Sequence, residues 1–380
     1  KMTGPLGNKS RGNNFDLIRL VAALQVVWYH GMKYLGPAAE QKGAFLSMLD
    51  TVSTFFPGVP IFFFLSGYLV TMSYERSPSV GQYALNRAIR LYPALWTCLF
   101  VSLSAIAAMG GLEDVAIGGQ KFLSWMAAQM TIFQFYNSSI LPGYGSGVPN
   151  GALWTISVEL QFYALVPLVF LVLGKPTVAQ NRWKWLAFAL VMFGVAQWLA
   201  PNLKTPSSTG WLMVKVSALP YLYSFVLGAV VRAFLPQLRW AFDNKLGFWI
   251  LLHAAICMLV LYSGAAPSVN ANTPHPATII TLAGVTFSAA WTLPGLSSRL
   301  LRSQDISYGI YIYHMVIINV LLEAGVRGLG AVFLTALLAI LCGALSWVLV
   351  EKRALRLKPY SVRPGRQSAK GDGIAPGVDS

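Results

Sequence analysis

Arg19 and His30 lie eleven positions apart in one otherwise apolar stretch, Phe15-Asp16-Leu17-Ile18-Arg19-Leu20-Val21-Ala22-Ala23-Leu24-Gln25-Val26-Val27-Trp28-Tyr29-His30. At about 100° per residue, that spacing returns to within about 20° of the same helix face. At a rise of about 1.5 Å per residue, the two groups stand about 16 Å apart along the axis. One face of one helix would then present a fixed cation at one depth and a titratable base at another. Ionisable groups in hydrocarbon cost several kcal/mol on insertion scales, so a membrane helix with two of them points to function. The bland alternative for His30 is a histidine hydrogen-bonded to a neighbouring helix.

Other side chains could join that chemistry. Glu159, in Leu153-Trp154-Thr155-Ile156-Ser157-Val158-Glu159, falls at a depth comparable to His30 if its segment runs inward from the outer face. A carboxylate beside an imidazole would fix its tautomer and raise its basicity, as a general base requires; a structural ion pair or a protonated glutamate is the alternative. Arg87 and Arg90 are three residues apart, hence neighbours on a helix face, and start an apolar segment. They could grip phosphates or merely anchor the segment at the membrane surface. Ser307, Tyr311 and His314 follow i, i+4, i+7 spacing and form a polar stripe near mid-depth. The alternative there is hydrogen bonding between helices. His253, early in its apolar segment, reads as structural, and His275, between two prolines, as solvated. Ser66, within Phe62-Phe63-Phe64-Leu65-Ser66-Gly67, has no local base to activate it. No phosphate-binding glycine loop, His-Glu-x-x-His or Gly-x-Ser-x-Gly is present.

The elements that must position these groups are membrane helices. The chain has 380 residues, 56% hydrophobic and 11% charged, where soluble domains average about 25% charged, and its mean hydropathy is +0.57. Apolar segments are drawn at 15–35, 50–72, 91–109, 121–136, 151–173, 184–200, 215–235, 247–264, 277–294, 306–323 and 329–350. With the N-terminus inside and 121–136 not spanning, most lysines and arginines fall on the inner side; letting 121–136 span reverses the bias. The expectation is therefore an all-α integral membrane protein of ten transmembrane helices with both termini cytoplasmic. Segment 121–136 becomes a short interfacial or re-entrant helix on the outer face. The outer loop around it, about 110–150, could be a lid or a solvated connector. The formal charge of +15 follows from the same inside bias, so nucleic acid is not an expected partner. Cys98, Cys257 and Cys342 all fall in apolar runs and suggest neither disulfides nor a metal site. Residues 1–12 are expected to be a tail that starts with an appended remnant around Gly4-Pro5-Leu6-Gly7, 13–352 the membrane domain, and 353–380 a disordered cytoplasmic tail.

Five elements together resemble the acyltransferase-3 family of bacterial integral-membrane acyltransferases, in its order and over about residues 13–352. They are Arg19-x10-His30, Phe-Phe-x-Leu-Ser-Gly ending at Gly67, Arg87-x-x-Arg90-x-x-Pro93, Leu153-Trp154-Thr155-Ile156-Ser157-Val158-Glu159 and Ser307-Tyr308-Gly309-x-Tyr311-x-x-His314. The resemblance implies an acyl-CoA donor, acetyl-CoA by family habit, as co-substrate on the cytoplasmic side, with no tightly bound cofactor. It implies an acceptor hydroxyl on an extracytoplasmic or lipid-linked glycan. His30 and Glu159 would be catalytic. Arg19, Arg87 and Arg90 would hold the donor phosphates, and His314, Tyr311, Ser307, Trp154 and Ser157 would support the substrates. Some family members carry an added hydrolase-like domain outside the membrane; this chain is expected to act without one, or with separate envelope-assembly partners, in the bacterial inner membrane. A polytopic exporter using intramembrane Arg, His and Glu is the rival reading. It would show paired Gly/Pro-broken segments in two halves, and none is evident. A non-catalytic scaffold of a polysaccharide-assembly complex would tolerate loss of Arg19 and His30.

Overall fold

A computed structural model describes residues 12–113, 115–137, 141, 143–204, 208–269, 273–302 and 304–358. The segment around Gly4-Pro5-Leu6-Gly7 and most of the expected C-terminal tail lie outside them. The helices are α1 (Phe15–Tyr34), α2 (Ala44–Phe55), α3 (Gly58–Arg76), α4 (Val80–Ala108), α5 (Gln120–Met130), α6 (Trp154–Leu173), α7 (Arg182–Lys204), α8 (Thr209–Lys215), α9 (Leu222–Ala233), α10 (Leu235–Phe242), α11 (Leu246–Tyr262), α12 (Ile279–Trp291), α13 (Leu296–Leu301), α14 (Ser307–Glu323), α15 (Leu329–Ser346) and α16 (Lys352–Leu355). A two-stranded antiparallel hairpin, Ser268–Val269 with Thr273–Pro274, joins α11 to α12.

Every apolar segment read from the sequence contains a helix, but they do not all have the length and composition of a span. Five helices are long and apolar enough to cross a membrane, and seven if each of two bent pairs counts as one span. The three remaining expected spans fall short for identifiable reasons. Among these, α1 carries Asp16, Arg19, His30 and Lys33, while α12 and α14 have only 13 and 17 residues. These three are also among the more enclosed elements. α14 is buried over nearly its whole length and packs against α15, α1 and α4. A helix screened by its neighbours has little lipid to satisfy, so polar groups on it are tolerated. α5 has 11 residues, too few to span, and packs on α4; the turn after it is held to α6 by Ser157, whose Oγ donates to Gln134 Oε1 at 2.7 Å.

Several joints set where the polar side chains land. Asn14 fastens the start of α1 to the end of α12, donating from Nδ2 to the Thr292 carbonyl at 2.6 Å and accepting from Ser297 N at 2.9 Å. Gln25, halfway along α1, bridges the break between α2 and α3: it accepts from Gly58 N at 2.7 Å and donates to the Ser53 carbonyl at 3.1 Å. α4 begins at a Ser79 cap and runs 29 residues, about 44 Å, so Arg87 and Arg90 lie inside it and do not start it as expected. α3 and α9 cross with almost no gap. A Cβ at Gly67 would stand 1.8 Å from the Phe225 carbonyl oxygen, and one at Gly228 would stand 2.0 Å from that of Phe64. α15 passes through a π turn, Trp347–Glu351, before α16, and the turn brings the Glu351 carboxylate to Arg90.

The loop before α6 is neither a solvated connector nor a loose flap. Ser146 N and Gly145 N donate to Asn319 Oδ1 and Glu323 Oε1, at 2.9 and 2.5 Å. Asn319 Nδ2 donates to the carbonyls of Val148 and Pro149, and Asn150 Nδ2 to that of Ile312 at 2.7 Å. The segment is a strap tied along α14. Gly145, at φ 54°, is where a side chain would collide with Asn319.

Candidate active site

The polar groups of the bundle sort into two chambers. The proximal one opens at the N-terminal end of α1, the distal one at its C-terminal end. The proximal vestibule has a volume of about 550 Å³ and is bordered by Arg19, Arg76, Arg87, Arg90 and Lys358, with Asp16 and Asp305 among them. It leads to an inner cavity of about 90 Å³ that shares Arg19, Arg87 and Arg90 and adds Ser66, Glu159, Tyr163 and Tyr311. That is room for a few water molecules.

The three arginines are not equivalent. Asp305 Oδ2 accepts from Arg90 Nη2 at 2.5 Å and from Arg19 Nη1 at 3.3 Å. Arg19 also meets Asp16 at 3.3 Å, and Arg90 meets Glu351 at 3.3 Å. Burial alone would raise the Asp305 carboxyl; the charges of Arg90 and Arg19 and the bonds from Ser307 outweigh it and hold the group below its usual range. Ser307 thus supports the ion cluster, its Oγ donating to Asp305 Oδ1 at 2.5 Å. Arg87 makes no ion pair among the described residues. It donates to Ser73 Oγ at 3.1 Å, lies over the Tyr163 ring, and leaves its Nε without a partner. Its fork remains available to an anion. Lys358, beyond α16, has its amine pushed down to about 8 by burial and by Arg87 and Arg90.

Glu159 faces this inner cavity and not His30, which corrects the expected pairing. Its Oε1 accepts from Ser66 Oγ at 2.9 Å and from the Tyr163 hydroxyl at 2.5 Å. Equal depth does not make neighbours: α1 packs on α14, α15 and α3, whereas α6 packs on α3 and α4. The wall between the chambers is made at the same level. Tyr311 and Thr155 join hydroxyls at 2.5 Å, and Phe62 sets its ring edge-on to Tyr311.

Beyond that wall His30 meets His314. Nδ1 of His30 and Nε2 of His314 are 2.8 Å apart, and the rings are nearly parallel. His314 Nδ1 lies 2.5 Å from the Tyr311 carbonyl, which can only accept, so that nitrogen carries the proton. In the neutral ring, Nε2 of His314 is therefore the acceptor, and His30 Nδ1–H donates to it. The unprotonated nitrogen of His30 is then Nε2, which has no partner among the described residues. His314 thus fixes the tautomer of His30, one part of what was expected of Glu159, but as a neutral ring it brings no negative charge to raise the base. His30 borders the distal chamber, about 420 Å³, together with Tyr29, Lys33, Tyr34, Trp154, Lys215, Tyr221 and Tyr223.

The stripe Ser307, Tyr311, His314 thus runs from ion cluster through wall to base. Trp154 borders the distal chamber and packs on Tyr221. Ser157 is fully buried, held by Gln134, and lines neither chamber; it faces the α5 side of α6. His253 is structural, bonded to Thr281 Oγ1 and the Phe55 carbonyl. The cysteines are free, and no cluster of metal-ligating side chains occurs among the described residues. Sequence reasoning missed Asp305, Glu351, Arg76 and Lys358. The only trace of the two cations was the inside charge bias.

Known proteins bear on this arrangement directly. The sequence profile of the acyltransferase domain matches residues 13–351. Nodulation protein 10 of Rhizobium leguminosarum bv. viciae is 33% identical over 367 residues, covering 93% of this chain and 97% of its own. An O-acetyl transferase of Shigella phage Sf6 is 26% identical, covering 91% and 96%. A putative membrane-bound transacylase of Komagataeibacter xylinus is 27% identical, covering 91% and 84%. No solved structure matches.

Proposed function

The chain belongs to the acyltransferase-3 family, and from that premise we propose that it moves an acyl group, acetyl by preference, from acyl-CoA on the proximal side to a saccharide hydroxyl on the distal side. It is a multi-pass membrane acyltransferase. In this reading the proximal, arginine-rich side is cytoplasmic, as the positive-inside rule favours, and the membrane is the bacterial inner membrane. Relatives described as O-acetyl transferase and peptidoglycan O-acetyltransferase favour a hydroxyl on a glycan or lipid-linked saccharide as acceptor.

The observation that carries the reading is the His30–His314 contact. It leaves Nε2 of His30 as a free base at the distal chamber, while an unpaired guanidinium, Arg87, waits at the proximal one. Donor phosphates bind at Arg87, with Arg76 and Lys358 nearby. The thioester enters the inner cavity, and the Tyr311–Thr155 contact parts to admit it to His30. Nε2 takes the acceptor proton as the oxygen attacks the thioester carbonyl. The C–S bond breaks, and the imidazolium returns the proton to the CoA sulfur. The freed hydroxyls of Tyr311 and Thr155 are placed to donate to the tetrahedral oxyanion.

The test is CoA release by the purified protein in lipid nanodiscs, with acetyl-CoA and a saccharide acceptor. Acceptor-dependent release is expected, and His30→Ala lowers it by about 10²- to 10⁴-fold. Unchanged turnover in that variant would refute His30 as base. Absence of acceptor-dependent release in the parent protein would refute the transfer itself.

A further inference from the structure

The distal chamber has an unusual charge balance for a saccharide site. Tyr29, Tyr34, Trp154, Tyr221 and Tyr223 supply aromatic walls, suited to the apolar faces of sugar rings while their polar edges remain wet. Two cations border the same space: Lys33 from the last turn of α1 and Lys215 from the end of α8. No carboxylate among the described residues lines it. Neither lysine makes an ion pair among the described residues. Lys33 instead lies over the Tyr34 ring, 5.0 Å from its centre. Asp50 shares a neighbouring crevice with Lys33 but is committed to Lys42 at 2.6 Å.

On the proximal side, by contrast, Arg19 and Arg90 are each given carboxylates. Two lysines far apart in sequence reach the distal chamber without any. Like charges converging on one concave site repel, and that repulsion is relieved when an anion occupies the site.

Resting on the acyl-transfer reading, we infer that the acceptor is an anionic saccharide, which places a sugar hydroxyl at His30 and a phosphate or carboxylate between Lys33 and Lys215. The anionic group has two possible sources, a phosphate at the reducing end or a uronic acid within the glycan, and they share the chemistry that the lysines recognise.

The experiment uses the full chain in phosphatidylcholine nanodiscs and three probes: a neutral tetrasaccharide, the same tetrasaccharide with an anomeric phosphate, and one with a uronic acid in place of a hexose. Calorimetric binding and acyl transfer from acetyl-CoA are both measured. At least one charged probe should bind about tenfold more tightly than the neutral one, and the more favoured of the two names the source. The preference should shrink at about 1 M salt, where the screening length is about 3 Å. In Lys33→Gln/Lys215→Gln the ratio of charged to neutral affinity should fall toward one, and in Lys33→Arg/Lys215→Arg it should persist. Equal binding of all three probes by the parent protein would overturn the inference, as would a preference that survives the glutamine variant; in that case the lysines serve lipid headgroups only. Selective binding without transfer would sink the acyl-transfer reading and leave the chamber's anion preference standing. Equal acylation of neutral and charged probes would do the reverse.

Discussion

The two chambers treat charge in opposite ways. On the proximal side Arg19 and Arg90 are paired with Asp16, Asp305 and Glu351, while Arg87 makes no ion pair among the described residues. On the distal side the base and both lysines are without acidic partners. The difference separates two jobs that arginines and histidines of membrane helices are often assumed to share. Arg19 and Arg90 tie α1 and α4 to the loop before α14 through Asp305, whereas neither Arg87 nor His30 has a carboxylate partner among the described residues.

That contrast can be broken most severely at the distal base. His30→Ala should remove about 10²- to 10⁴-fold of turnover with thermal stability unchanged, read by CoA release and melting in parallel. The next largest effect belongs to the ion cluster and should appear in stability first. Asp305→Asn removes the carboxylate that Arg19 and Arg90 share and leaves them only Asp16 and Glu351, each at 3.3 Å, which costs up to about 3 kcal/mol, measurable as a lowered melting temperature in detergent. Its sign with pH follows from the depressed carboxyl. Asp305 contributes fully above about pH 4, the unfolded value, and the contribution disappears as pH falls through the lower folded value. The variant should lack that acid-sensitive component.

Arg87→Ala sharpens the comparison from the other side. It should raise the KM for acetyl-CoA by about 10-fold or more, while stability shifts by under about 1 kcal/mol. If its melting temperature fell as far as that of Asp305→Asn, the division between locked and free arginines would be wrong. His314→Ala should lower kcat by about 10- to 100-fold, because the proton on His30 loses its acceptor. His314→Gln, whose Oε1 can accept that proton, should recover part of the loss, which a purely steric role would not allow. The smallest effect is at Lys358. With its amine near 8, the KM for the donor should rise modestly as pH passes upward through 8, and Lys358→Gln should flatten that rise.

Much of the architecture is legible in the sequence because apolar runs must become helices wherever lipid or a packed bundle replaces water. What periodicity could not supply was lateral order. Glu159 and His30 were matched by depth, yet α3 and α14 stand between their helices. The partner of His30 was visible as the end of a polar stripe on α14, but nothing in a linear pattern says which helix that stripe faces. The neutralisation of Arg90 was hidden for a related reason. Its carboxylates lie 215 and 261 residues away, one in a loop and one on a π turn. Length and composition alone give five to seven of the ten expected spans, since α12 and α14, enclosed by other helices, are shorter than those that meet lipid.

The crossing of α3 and α9 has a consequence for how this protein can change. Gly67 and Gly228 leave no space for even one methyl group, because the obstacle at each is the other helix's backbone. Ser66 and Phe62 ride on the same rigid pair, so the wall of the inner cavity cannot drift by small substitutions at the crossing. α1 is itself closed against α3, where a Cβ at Gly58 would stand 2.3 Å from the Ala22 carbonyl oxygen, but the lining from α8 and the hairpin has no such lock. A library that randomises both sets should return glycine at 67 and 228 in nearly every working clone, with diversity collected around positions 29, 33 and 215. Lineages that acquire new acceptors would be expected to diverge there while inheriting the donor side unaltered.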